Sequence, residues 1–176
     1  MVFLCHPVLS SKAISQTNQV TILDLFLLKW IRFNTKKHFF PLFGIFFIPL
    51  KTLLITADTI VWFKGKVISK PANHTEAVSM LHELSGSMHE VITGVCISLT
   101  GGRHTFYCST LVWFAELSDK EINKYVTEYR PYDKAGAYGI QEWIGYIGIE
   151  RIEGSYFNVM GLPVQKLYQE LKKIIK

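Results

Sequence analysis

Leu53-Leu54-Ile55-Thr56-Ala57-Asp58-Thr59-Ile60-Val61 is the stretch on which the fold turns. Residues 53–57 read as a buried strand that delivers Asp58 and Thr59 at its C-terminal end, the position where α/β sheets place their chemistry. Trp62-Phe63-Lys64-Gly65-Lys66-Val67 follows as a tight hairpin, with Gly65 suited to positive φ. Asn73 with Glu76 three residues on resembles a capping box. The helix behind it sets Ala77, Met80, Leu81 and Leu84 on one face and stops at Gly86.

Further along, residues 91–99 and 105–114 are β-rich runs around Gly101-Gly102, a hairpin signal. Ser118 and Glu121 predict a second capping box, with Ile122, Tyr125, Val126 and Tyr129 on the inner face of a helix that ends before Pro131. A last helix is expected from Pro163, burying Val164, Leu167, Tyr168 and Leu171, with Lys172, Lys173 and Lys176 suited to its C-terminal dipole. Helices mixed with antiparallel hairpins define an α/β domain that is not a simple doubly wound sheet.

Charge separates the chain into two parts. Residues 1–50 hold five Lys/Arg (Lys12, Lys29, Arg32, Lys36, Lys37) against the one acid Asp24; residues 51–176 hold fourteen against thirteen. The body is nearly neutral, so a basic groove for DNA or RNA has no compositional support. Eight of the twelve Phe also precede residue 51. The apolar runs 22–31 and 39–50 are shorter than the roughly 20 residues a span needs. The first contains Asp24 and Lys29, the second two prolines and a glycine, which argues against a membrane helix. A membrane-associating extension, a divergent part of the core and an altered reading frame all remain readings of residues 1–50. The abrupt break in composition favours the last. Cys5, Cys96 and Cys108 make an odd set without CxxC spacing, so no disulfide framework or zinc site is expected, and a reduced cytoplasmic setting fits. The six histidines show no ligand spacing, and Asn73-His74-Thr75 is a sequon with nothing else pointing to secretion.

The candidate chemistry lies in the body. Asp58 reads equally as a turn or helix-capping residue and as a carboxylate that holds a divalent cation or deprotonates an attacking water. Lys70, held extended by Pro71, projects from a loop; a plain surface lysine is the commoner case. Lys134 stands between Asp133 and the small residues Ala135-Gly136-Ala137, which permit close backbone approach to a ligand or simply a tight turn. Gln141 offers a donor and an acceptor to a base edge, although an exposed Gln needs no role. Residues 154–161 lead into the final helix as a packed connector or a further site wall. Together these parts suit a metal-assisted attack on a nucleotide's phosphates.

TADT, SKP, HEVITGV, DKAGAYGIQ and ERIEGSYFNVMGLP, in this order from about Leu53 to the C-terminus, resemble the Maf (septum formation inhibitor) family of nucleotide pyrophosphatases. The resemblance implies the inosine-triphosphate-pyrophosphatase-like α/β fold: an elongated mixed sheet flanked by helices, with a cleft between two lobes. It implies residues 51–176 as the Maf-like domain, residues 1–50 standing apart as an atypical segment. It also implies a divalent metal (Mg2+ or Mn2+, with Asp58 as its ligand) and cleavage of a nucleoside triphosphate to monophosphate and pyrophosphate; a homodimer is compatible with it. By that resemblance Asp58 is the proton acceptor, Lys70 contacts phosphate, and Thr59 and Gln141 set base preference; Lys134, from its own place in the small-residue loop, is read as a second phosphate contact. ADT with GIQ is similar to the subfamily acting on dTTP and UTP. The family's Ser-x-Ser-Pro-Arg-Arg phosphate loop has no counterpart here, since Arg32 is the only arginine before Asp58. The alternative is therefore a catalytically impaired nucleotide-binding or cell-division regulatory protein.

Overall fold

The structure, a computed structural model, describes residues 53–99 and 102–174. The readings made of residues 1–50, of Gly101 and of Lys176 lie outside it. Among the described residues five strands form one sheet in the order β2-β1-β3-β4-β5. They are β1 (Leu54–Phe63), β2 (Lys66–Ile68), β3 (Met88–Leu99), β4 (Gly102–Phe114) and β5 (Ile149–Glu153). The helices are α1 (His74–Leu84), α2 (Asp119–Tyr129), α3 (Trp143–Gly148), α4 (Tyr156–Val159) and α5 (Val164–Ile174), with a 3-10 turn at Ala135–Ala137. The α/β expectation holds.

β1 differs from its expected form. It does not stop at Ala57 but runs to Phe63, so Asp58 and Thr59 sit in mid-strand rather than at its end. The cause is in the next four residues: Ile60, Val61, Trp62 and Phe63 are β-branched or aromatic and fit a pleated, half-buried surface. Lys64 (φ 46°) and Gly65 (φ 80°) then make the tight turn, and β2 returns antiparallel with Val61 opposite Ile68 and Phe63 opposite Lys66.

The described residues divide into two compact units. The first takes residues 53–56, 94–99 and 102–106, where Val95 and Ile97 are buried and the His104 and Phe106 rings lie 6.1 Å apart. The second, residues 57–93 and 107–174, holds the main core. There Val61, Phe63, Val91, Val112 and Phe114 from the strands meet Ala77, Leu81 and Leu84 of α1 and Ile122, Tyr125 and Val126 of α2.

The starts of α1 and α2 are capped. Asn73 accepts the Glu76 N–H at 2.9 Å, and Ser118 with Glu121 forms the reciprocal box. Each cap contributes about 1 kcal/mol. Glu76 departs from the box: its carboxylate takes the Ala72 N–H at 2.7 Å. Met80 is only half-buried and Tyr129 is exposed. α5 is turned relative to expectation. Leu167 and Glu170 are buried while Val164 and Tyr168 are exposed, and Glu170 is held by Lys173 at 2.8 Å and Lys166 at 3.9 Å.

Candidate active site

The segment after α2 is pinned by its backbone. Arg130 ends α2 in the left-handed region (φ 47°), and Lys134 N–H donates to Pro131 O at 3.2 Å. Gly136, at φ 73°, donates its N–H to Ser69 O at 3.1 Å, which fastens the 133–137 segment beside Lys70. A Cβ on Gly136 would lie 3.0 Å from Val61 Cγ2, so the turn sits directly on β1. Tyr138 follows fully inside, its hydroxyl 2.7 Å from His89 Nε2 on β3. Burial pushes the Tyr138 phenol far up and the His89 imidazole down to about 4.

These constraints assemble one cavity of about 290 Å³ within the second unit. Asp58, Thr59, Lys70, Lys134 and Gln141, singled out from sequence across three separate segments, all border it. Side chains alternate along a strand, so Asp58 and Thr59 leave β1 on opposite faces, Thr59 on that of Val61. The Asp58 carboxylate has no hydrogen bond or ion pair with any described residue, and its mid-strand position removes the turn and capping readings. Lys70 is exposed, and its charge helps to lower the Asp133 carboxyl.

Lys134 is more engaged than its sequence context implied. Its Nζ donates to Asp133 Oδ1 at 3.0 Å and to Glu142 Oε1 at 3.1 Å. An ammonium has three donors, so one stays available to a ligand. Burial opposes the charged form of both Asp133 and Lys134. Their hydrogen bond and mutual attraction outweigh it, so the Asp133 carboxyl is lowered and the Lys134 ammonium raised, the latter with help from Glu142. Glu142 had no sequence signal beyond lying next to Gln141. Its second oxygen accepts a short hydrogen bond from the Tyr125 hydroxyl, and that hydroxyl in turn accepts the Gly139 N–H at 3.1 Å. Burial, and then the Glu142 bond, push the Tyr125 phenol far up. Gln141 presents an exposed side chain while its carbonyl accepts the Tyr146 hydroxyl at 3.0 Å.

Residues 154–161 form a wall rather than an open loop. Val159, Met160 and Gly161 line the cavity, and Asn158 behind them is completely buried. Its amide donates to Val91 O and to Thr110 Oγ1, each at 3.0 Å. Thr93, equally buried, lies between Thr59 and the Asn158 carbonyl. None of these four contacts is periodic in sequence.

An implied divalent cation can be tested against these donors. Among the described residues no three His, Cys, Asp or Glu converge on one point, and Asp133 and Glu142 are already tied to Lys134. The unpaired Asp58 carboxylate beside a polar cavity fits magnesium's habit of taking one or two carboxylates, with substrate phosphates and water completing its shell.

The cavity of this α/β domain is thus bordered by the Asp58 and Asp133 carboxylates, Lys70, Lys134, the Thr59 hydroxyl and the Gln141 amide. A family profile described as Maf-like protein matches residues 13–174, and the chain belongs to the Maf family. The match reaches into the N-terminal segment. Among similar curated proteins, one named dTTP/UTP pyrophosphatase from Phocaeicola vulgatus is 62% identical over 122 residues, 69% of this chain and 63% of that protein. Another of that name from Parabacteroides distasonis is 64% identical over 120 residues (68% and 62%), and one from Christiangramia forsetii is 54% identical over 123 (70% and 63%). The chain thus spans somewhat under two thirds of the length of these relatives.

Proposed function

We propose that this chain is a nucleoside triphosphate pyrophosphatase acting on dTTP and UTP, releasing monophosphate and pyrophosphate, with residues 51–176 as the domain that carries the site. The observation that supports it most is the convergence of Asp58, Thr59, Lys70, Lys134 and Gln141 on one cavity. The relatives' name points to the same substrates.

In this reading Asp58, with no competing partner among the described residues, accepts the proton of the attacking water, and the same carboxylate would hold a Mg2+ or Mn2+ ion. Such an ion, when bound, neutralises phosphate charge and polarises the scissile bond. Lys70 and the remaining donor of Lys134 hold the phosphates, and Asp133 and Glu142 keep Lys134 charged and in place. Gln141 and Thr59 face the base, whose imide edge presents two acceptors and a donor. No helix among the described residues is long and apolar enough to cross a membrane. We place the protein in the cytoplasm, where the Cys96 and Cys108 thiols would stay reduced; a homodimer is its proposed assembly.

The test is pyrophosphate release from dTTP, UTP, CTP and 7-methyl-GTP with Mg2+ or Mn2+, beside Asp58→Ala. We expect release from dTTP and UTP, lowered at least about 100-fold in the variant. Full turnover by Asp58→Ala would sink the assignment of Asp58. Binding of dTTP or UTP without release would favour the impaired, regulatory alternative.

A further inference from the structure

Thr59 does not meet the cavity with a freely turning hydroxyl. Its Oγ1 lies 2.9 Å from Thr93 Oγ1, and Thr93 Oγ1 donates to the Asn158 carbonyl at 3.0 Å. A hydroxyl owns one proton and a carbonyl owns none. With the Thr93 proton committed to Asn158, the bond between the two threonines must run from Thr59 to Thr93. The Thr59 proton therefore points away from the cavity, and its remaining lone-pair capacity is what a ligand meets.

The anchor of this relay is firm. Thr93 and Asn158 are both 0% exposed. The Asn158 carbonyl also accepts the Gly161 N–H at 3.0 Å, and its side chain is tied to Val91 and Thr110. Reversing the relay would take the Thr93 donor away from the buried Asn158 carbonyl and turn the Thr59 proton toward the cavity.

We propose that Thr93 is a specificity-positioning residue that holds Thr59 as a hydrogen-bond acceptor, selecting pyrimidines with an N3–H (uracil, thymine) over cytosine. The inference rests on the dTTP/UTP reading above and adds the origin of its selectivity. Uracil and thymine carry a proton at N3 between two carbonyls, whereas cytosine carries a lone pair there. Gln141 cannot make this distinction alone, because its amide can turn over to suit either edge. A hydroxyl with a fixed proton cannot.

The experiment compares kcat/KM for UTP and CTP in the parent chain, Thr93→Val, Thr93→Ser and Thr59→Val with and without Thr93→Val, each checked for its melting temperature. Thr93→Val frees the Thr59 proton to turn outward. The UTP-to-CTP ratio should fall by about tenfold, the worth of one hydrogen bond, chiefly through a lower KM for CTP. Thr93→Ser, which keeps the relay, should hold the ratio within about twofold of the parent's, where a packing role for the methyl would not. On Thr59→Val, adding Thr93→Val should leave the ratio unchanged. If Thr93→Val does not fold, Thr93→Ala is read the same way. A UTP preference that survives loss of the Thr93 hydroxyl overturns the relay and leaves the substrate reading standing. A parent chain that neither binds nor hydrolyses pyrimidine triphosphates removes both.

Discussion

Acid should unfold this protein partly through His89. The ring is 1% exposed on β3, between Phe114 and Tyr138, with Nε2 bonded to the Tyr138 hydroxyl and Nδ1 without a partner among the described residues. Whichever nitrogen carries the proton at neutral pH, a second proton leaves a buried cation with an unsatisfied N–H. Burial accordingly lowers its pKa from 6.5 to about 4. The unfolded chain then binds more protons than the folded one between those values, so stability is lost as pH falls through the window and none is lost above it. At pH 5.0 the unfolded histidine is almost wholly protonated and the folded one mostly neutral, a loss of about 2 kcal/mol relative to pH 7.5, rising to about 3 kcal/mol below pH 4. Urea unfolding of the parent and of His89→Gln at pH 7.5 and 5.0 isolates the term. The glutamine offers Tyr138 a polar atom but cannot titrate, so carboxylate effects cancel in the difference. The variant should lose about 2 kcal/mol less than the parent on acidification. Equal losses in the two proteins would refute the argument.

Two further outcomes follow from close contacts. A Cβ on Gly145 would stand 1.9 Å from the Ile140 carbonyl oxygen, which is backbone and cannot swing away. Gly145→Ala should cost roughly 3 kcal/mol by chemical denaturation and displace Gln141; a cost under about 1 kcal/mol would show that the 140–145 turn is not confined. Tyr125→Phe leaves the Gly139 N–H without its acceptor and Glu142 Oε2 without the phenol donor, so stability should fall by about 2 kcal/mol and the melting temperature by roughly 4–8 °C. An unmoved melting curve would mean that water replaces the phenol.

What was legible in the sequence is local. Ser118 and Glu121, three residues apart, announce the start of α2, and the Lys64-Gly65 turn announces the β1–β2 hairpin, because cap and turn chemistry act within a few residues. The five site residues were visible by residue type and resemblance, and the structure gathers them on one cavity. β1 was read too short, since a carboxylate and a threonine after an apolar run look like an ending while Ile60 to Phe63 continue the pleat. The inner face of α5 was misjudged because periodicity fixes the width of an apolar stripe but not which side meets the protein, and Glu170 is buried with lysines around it. Glu142, His89, Thr93 and Asn158 were missed for another reason. The Tyr125, Tyr138, Thr59 and Val91 groups that hold them lie 17 to 67 positions away in sequence, and no local pattern announces a pairing of that kind.

The uninterrupted course of β1 bears on how this protein can change over time. Asp58 and Thr59 are consecutive residues of one ribbon whose two sides are chemically different, and Val61 opposite Ile68 sets its alignment. Loss or gain of one codon between Leu54 and Ala57, compensated by a slip along the neighbours, would send each side chain to the other side. The hydroxyl would then occupy the carboxylate's place. Substitutions in β1 act one residue at a time, but single-residue length changes exchange two functions at once, so variation in chain length should collect in the turn at residues 64–65 instead.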